Sequence, residues 1–347
     1  MKKVLVTGGA GYIGAHTCVS LVRAGYEPVI LDNFSKSGPF ILDGIHAITG
    51  KELVFYEGDC QDETLLNRIL TEQGPIHAVM HFAAFKSVEE SVRYPFKYYR
   101  NNLDAMQAVL AAILSGRIPH LVFSSSCTIY GEAEHLPLTE KSPRNEAVSP
   151  YGNSKRLCED FIRDFLQQDA VKEAEGYKPQ AVILRYFNAV GAHPSGLIGE
   201  VPEPKPNFLV PYIMKAVKGE LKELVVYGND YPTPDGTALR DYLHVEDLAA
   251  AHLAALAFAE RRDKQENPAI FNLGMGRGWS VMEMIHAFEG ATGEKVPFRI
   301  GQRRPGDISA SYADASKAET ELGWKASHTI EEAMRDAWHW QQRFDSL

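Results

Sequence analysis

The sequence predicts an α/β fold, a doubly wound parallel sheet with a smaller α/β domain after it. Three observations carry this. Short β-rich runs alternate with helical patterns through the first half, those runs are nearly unbroken hydrophobics, and the alternation gives way after Asn188 to Gly- and Pro-rich loops. The strand runs are residues 4–7, 29–31, 53–56, 78–81, 121–123 and 182–184. Their uniform apolarity suits strands covered by helices on both faces, so a ligand is expected at the carboxyl ends of the strands. Loops at 191–211 and 227–236 mark the second unit. We divide the chain into 1–189, a cofactor-binding domain, and 190–347, a substrate-binding domain. Part of 241–262 returns to the first, because 242–259 reads as a strand end and a helix.

At 347 residues and 45% hydrophobic content the chain can bury a large core, and its net charge of −9 disfavours nucleic acid or membrane surfaces as partners. An anionic ligand must then meet locally placed arginines. Cys18, Cys60, Cys127 and Cys158 are scattered, with no Cys-x-x-Cys spacing, which suits reduced thiols in the cytoplasm and no metal. Lys2-Lys3 before Val4-Leu5-Val6 resembles a signal start, but Gly8 ends the apolar run too soon. Residues 248–259, the most apolar later segment, are short and contain His252, so they read as a core helix rather than a membrane span.

Thr7-Gly8-Gly9-Ala10-Gly11-Tyr12-Ile13-Gly14 follows the first strand and opens a helix, the context of a Rossmann-like dinucleotide loop. Glycines let a pyrophosphate approach the backbone, and free N–H groups at a helix start favour negative charge. Asp32 ends the second strand, 18 residues beyond Gly14, where a carboxylate accepts from an adenosine ribose and repels a 2′-phosphate, favouring NAD over NADP. The alternative for Asp32-Asn33 is a plain turn, with Lys36 the only nearby cation. Asp59 after the third strand and Phe82-Ala83-Ala84 after the fourth belong to the same sheet edge, although Asp59 serves equally as a turn residue ahead of a helix near Asp62.

Ser124-Ser125-Ser126 ends the fifth strand, and Tyr151-Gly152-Asn153-Ser154-Lys155 opens a helix about 25 residues later. A tyrosine titrates near ~10, so it is a poor base at neutral pH unless positive charge stabilises its phenolate. Lys155, one helical turn on, is placed to supply that charge, and Ser126 can share a substrate hydroxyl with Tyr151. A lone Tyr-x-x-x-Lys is also common on amphipathic helices. No Gly-x-Ser-x-Gly elbow is present, which disfavours serine hydrolysis. His81, His193 and His244 lack ligand-like pairing and read as structural.

Glycine loop, serine run and Tyr151-x-x-x-Lys155, in this order, resemble the extended short-chain dehydrogenase/reductase family, and within it the branch of nucleotide-sugar 4-epimerases. The likeness spans essentially the whole chain, including Leu184-Arg185-Tyr186-Phe187-Asn188, Gly191-Ala192-His193-Pro194, Tyr227-Gly228-Asn229-Asp230-Tyr231 and Arg240-Asp241-Tyr242. It implies a UDP-hexose substrate and a tightly held NAD that takes a hydride from C4 while Tyr151 takes the O4 proton. The 4-keto sugar then turns over and receives the same hydride on its other face. Lys155 would bind the nicotinamide ribose and lower the Tyr151 pKa.

The resemblance further implies cofactor contacts at Gly8, Gly11, Tyr12, Ile13, Gly14, Asp32, Asn33, Asp59, Cys60, Phe82, Ala83, Ala84, Lys86, Asn101, Ser124 and Phe187. It implies substrate contacts at Lys86, Ser126, Asn188, Phe208, Leu209, Val225, Tyr227, Arg240, Tyr242, Arg304, Asp307 and Ser311. Arg240 and Arg304 suit a diphosphate, which guanidinium forks bind bidentately. A homodimer is implied through 101–114 and 151–167, whose apolar stripes equally suit a core. Two departures stand out. The family commonly shows Asn-Asn-Leu-Met-Pro-Tyr where this chain has Asn207-Phe208-Leu209-Val210-Pro211-Tyr212, so Phe208 is left to contact through its backbone. Ser311 stands where some members carry a bulky tyrosine, which leaves room for an N-acetylated sugar. The rival readings are a nucleotide-sugar 4,6-dehydratase, disfavoured because Cys127-Thr128 stand where adjacent Asp and Glu are typical, and a catalytically silent NAD-sensing regulator.

Overall fold

Apolar runs too uniform for a half-exposed sheet become strands covered on both sides. They are β1 (Lys3–Thr7), β2 (Glu27–Asp32), β3 (Val54–Glu57), β4 (Ile76–His81), β5 (His120–Ser126) and β6 (Gln180–Tyr186), each within a few residues of its predicted run. The structure, a computed structural model, describes the whole chain except residues 146, 148, 207, 262–265, 305–306 and 347. A seventh strand, β7 (Ala269–Leu273), joins β6, and the order across the sheet is β7-β6-β5-β4-β1-β2-β3, parallel throughout. The winding reverses between β1 and β4, so a crevice opens at their carboxyl ends.

Successive strand residues point to opposite faces, and each face is roofed by different helices. Val4, Val6, Ile30, Met80, Val122 and Val182 pack with Ala15, Cys18 and Val19 of α1 (Tyr12–Arg23) and with Leu248, Ala251 and Ala255 of the helix Val245–Glu260. Leu5, Val29, Leu31, Val79, Leu121 and Ile183 pack on the other side with α2 (Glu63–Gln73), α3 (Pro95–Ser115) and α4 (Pro150–Gln167). Each such side chain, fully buried, stabilises by roughly 1.5–3 kcal/mol. Helix starts are set locally: Asp62 accepts from Thr64 and Leu65 N–H at the head of α2, and Ser149 accepts from Gly152 N–H at the head of α4, with Pro150 at its first position.

The second core gathers Val210, Ile213, Val226, Met284, Phe288 and Met334 around the parallel pair Leu224–Tyr227 and Phe298–Gly301. The division expected at 189/190 is crossed twice. The helix α5 (Val245–Glu260) packs on the main sheet; of the expected span 241–262, residue 262 lies outside the described residues. β7 returns as well, which the sequence reading missed, although Ala-Ile-Phe-Asn-Leu between Pro268 and Gly274 has a strand's composition. His252 is fully buried in α5, its ring 4.6 Å from that of Phe82. Among the described residues no helix is long and apolar enough to cross a membrane.

Candidate active site

At the end of β1 the chain turns through Gly8 with φ +72, a conformation L side chains avoid, and a Cβ there would lie 2.7 Å from Ala83 N. At Gly14 a Cβ would lie 2.2 Å from the Gly8 carbonyl oxygen. The turn after β1 and the turn after β4 therefore meet backbone to backbone. Gly11 caps α1 with no side chain over its N–H groups.

Asp32 spans the next turn: Oδ2 accepts from Ala10 N–H at 3.0 Å and Oδ1 from Phe34 N–H at 2.9 Å. Burial raises its pKa, and those backbone donors oppose the rise. Asp59 accepts from Gln61 N–H at 3.0 Å as a turn residue and from Asn33 Nδ2 at 3.2 Å across the sheet edge.

These groups border one cavity of about 270 Å³. Gly8, Gly11, Tyr12, Ile13, Gly14, Asp32, Asn33, Asp59, Cys60, Phe82, Ala83, Ala84, Lys86, Asn101, Ser124, Tyr151, Lys155 and Phe187, every cofactor position inferred from sequence, all line it. A glycine cradle that any Cβ would fill, an open helix start and a buried carboxylate beyond β2 fit a dinucleotide with a free ribose 2′-hydroxyl.

Tyr151 sits in the first turn of α4, where Ser149 and Pro150 fix the entry. Burial pushes its phenol well above the usual value, the neighbouring Tyr186 adds to this, and a hydrogen bond from Ser126 opposes it. Lys155 lies one turn on and is buried as well. It is 4% exposed, its ammonium donates to the Ser124 carbonyl at 2.7 Å and lies 4.9 Å from the Phe123 ring centre, and desolvation lowers its pKa to about 8. Spacing put the two side chains one turn apart but could not weigh burial against charge. Ser126 Oγ also accepts from Thr128 N–H at 3.2 Å and Thr128 Oγ1 at 2.9 Å, while Ser124 bonds Tyr186. Ser154 Oγ donates to the Tyr151 carbonyl at 2.7 Å and accepts from Asn102 Nδ2 at 2.8 Å, tying α4 to α3.

Of the substrate positions, Lys86, Ser126, Asn188 and Phe208 line the same cavity, and Leu209 and Tyr242 line a smaller annexe that shares Tyr12, Asn188, Glu200 and Phe208 with it. Phe208 lines the cleft, and its ring centre lies 5.1 Å from Lys86 Nζ. Asn207 lies outside the described residues. Val225, Tyr227, Arg240, Arg304, Asp307 and Ser311 do not border the cavity and gather instead as a second cluster. Arg240 pairs with Asp307 and donates to the Leu239 carbonyl, Arg304 stacks 4.5 Å from the Tyr227 ring centre, and Ser311 is buried on a short strand opposite Arg240. The two arginines are thus held by an acid and a ring rather than standing free. Arg240 nevertheless reaches the cleft electrostatically: burial pushes the Cys127 thiol up to about 12, and the Arg240 charge opposes it.

The family model described as NAD dependent epimerase/dehydratase family matches residues 4–274. The chain belongs to this epimerase/dehydratase family. It is 47% identical over 338 residues to the UDP-glucose 4-epimerase of Bacillus subtilis, covering 97% of this chain and 96% of that one. Its structure is similar to that of UDP-glucose-4-epimerase from Stenotrophomonas maltophila with bound NAD and formylated UDP-arabinopyranose (TM-score 0.93, 45% identity, 100% and 99% of the two chains). It is also similar to UDP-glucose 4-epimerase from Bifidobacterium longum in complex with NAD+ and UDP (TM-score 0.90, 46% identity, 99% and 98%).

In this epimerase/dehydratase chain the cleft has further walls that the sequence did not assign to cofactor or substrate: Tyr98, Cys127, Thr128, Tyr186, Glu200 and Glu203. Tyr186 was within reach, since it ends β6 beside Ser126 in the strand register. Glu200 and Glu203 come from a loop, where no periodicity reports direction. The histidines are structural as read: His81 Nδ1 bonds Thr7 Oγ1 at 2.7 Å, His193 bonds Ser195, and His244 caps α5.

Proposed function

We propose that this enzyme interconverts UDP-glucose and UDP-galactose by oxidation at C4, turnover of a 4-keto sugar and re-reduction with inverted configuration. The observation that carries the reading is Ser126 and a buried Tyr151 on the wall of one cavity whose other wall is the glycine cradle. NAD+, when bound, would supply the hydride acceptor and later donor at C4 and a positive charge that favours the Tyr151 phenolate. The glycine turn, Asp32 and Lys155 hold NAD+. Tyr151 removes the O4 proton and returns it, while Ser126, relaying through its hydroxyl, keeps that proton in line. Thr128 and Cys127 offer neither acid nor base for a dehydration at C5 and C6. Arg240 and Arg304 hold the diphosphate by exchanging their present partners for its oxygens.

In this reading residues 1–189, with α5 and β7, form the cofactor unit and the rest of 190–347 the UDP-sugar unit. Two copies associate through α3 and α4, at whose head Val92, Tyr94 and Phe96 remain exposed, Phe96 at 83%. The enzyme works in the cytoplasm, in galactose metabolism.

NMR of the product formed from UDP-galactose tests this: UDP-glucose is expected, and a 4-keto-6-deoxy sugar overturns the reading in favour of a dehydratase. A second substrate pair, UDP-N-acetylglucosamine and UDP-N-acetylgalactosamine, follows from the resemblance, in which Ser311, buried beside Arg240 and off the cavity wall, stands where some members carry a bulky tyrosine. Ser311→Tyr is then expected to remove turnover of the N-acetyl sugars by at least tenfold and spare UDP-galactose. Wild-type protein inert toward the N-acetyl sugars contradicts this second reading alone.

A further inference from the structure

Glu200-Val201-Pro202-Glu203-Pro204-Lys205-Pro206 carries proline at every second position from 202, and the cleft wall includes Glu200, Val201 and Glu203. Proline fixes its own φ and biases the residue before it to extended backbone, so this segment is a stiff, extended strap with little conformational freedom left to lose. Its start is anchored where Trp340 Nε1 donates to the Glu200 carbonyl at 2.7 Å.

Its charges are spent on the far side of the cleft. Lys86, after β4, pairs with Glu200 at 2.6 Å. Lys36, after β2, pairs with Glu203 at 3.2 Å, and Lys205 pairs with Glu89 of the short helix Val88–Arg93. Three ion pairs of mixed polarity thus clip six residues of strap to the two loops that flank the glycine cradle. The pairs range from about a quarter to two-thirds exposed, and each is weak alone. On a segment already stiff, and tied at both ends of one short span, their effects add.

From this arrangement we propose that residues 200–206 are an electrostatic strap that retains the dinucleotide, with Glu203, Lys205 and Glu89 acting as positioning residues. This rests on the reading that the cleft holds NAD. A dinucleotide lying between the loops after β2 and β4 is covered by the clipped strap, so its escape requires the pairs to open. Retention then depends on ionic strength and on each clip joining opposite charges, not on which partner carries which sign.

Holoenzyme freed of excess NAD and diluted into a scavenging buffer gives the test, with the loss of bound NAD followed over time and the melting temperature measured alongside. Raising salt from about 0.02 M to about 0.5 M screens exposed pairs and is expected to speed wild-type loss about tenfold. Lys205→Glu and Glu89→Lys are each expected to speed it about two- to fivefold at low salt. The double variant Lys205→Glu with Glu89→Lys, which restores the pair in reverse, is expected to return within twofold of wild type. Loss rates that ignore salt, or a double variant as leaky as the singles, overturn the strap while leaving the cofactor reading intact. Wild-type protein that binds no NAD at all overturns both.

Discussion

At the scale of single residues the site is dominated by desolvation. Tyr151 and Lys155 were legible from the sequence as a pair one helical turn apart, but their energetics were not, because burial shifts each toward its neutral form. A lysine with an ordinary pKa of 10.5 lowered to about 8 in the fold binds fewer protons folded than unfolded between those values. The penalty is therefore full below about pH 8 and fades as pH rises toward 10.5. Lys155→Met removes it, at the cost of one hydrogen bond to the Ser124 carbonyl. We expect the cofactor-free variant to be about 2 kcal/mol more stable than wild type at pH 7, with the gap closing by pH 10, and turnover lost. Denaturant titrations at the two pH values check this, and a variant less stable at both contradicts it. Tyr151→Phe keeps the ring and drops the acid-base group, so NAD content is expected to be normal and kcat to fall at least hundredfold. Near-normal turnover removes Tyr151 from its role.

At the scale of elements, α4 is fixed to the sheet by a buried ion pair one turn beyond Lys155. Arg185 on β6 donates to Glu159 through Nε at 2.9 Å and Nη2 at 2.7 Å, and Ser125 Oγ donates to the same carboxylate at 2.7 Å. Removing one partner leaves the other charged and buried. Arg185→Leu is expected to cost about 3 kcal/mol, toward the lower end for a broken buried pair because Arg144 stands 3.6 Å from Glu159. A thermal melt within a degree of wild type overturns this account of how α4 is held. The six predicted strands came through because a buried parallel strand announces itself by uniform apolarity. β7 was lost because it is separated from β6 in sequence by the whole first part of the second unit, and composition does not say which sheet a strand joins.

At the scale of the whole molecule, the cofactor side was legible and the sugar side less so, for a physical reason. Glycines, Asp32 and Ser124 act where strands end, so strand prediction places them, and all face one cavity. Arg240, Arg304, Asp307 and Ser311 sit on short strands and loops whose mutual position depends on tertiary packing. Spacing could not reveal that Arg240 is occupied by Asp307 or that Glu200 and Glu203 reach back across the cleft. What unites the two sides is one claim: a hydride leaves C4 of the sugar and returns to C4 without exchanging with water. UDP-galactose carrying deuterium at C4, incubated with the purified enzyme and followed by NMR, tests it directly. The account predicts UDP-glucose that keeps its deuterium at C4 with the configuration inverted, whereas replacement of the label by solvent hydrogen, or its transfer to C6, contradicts it.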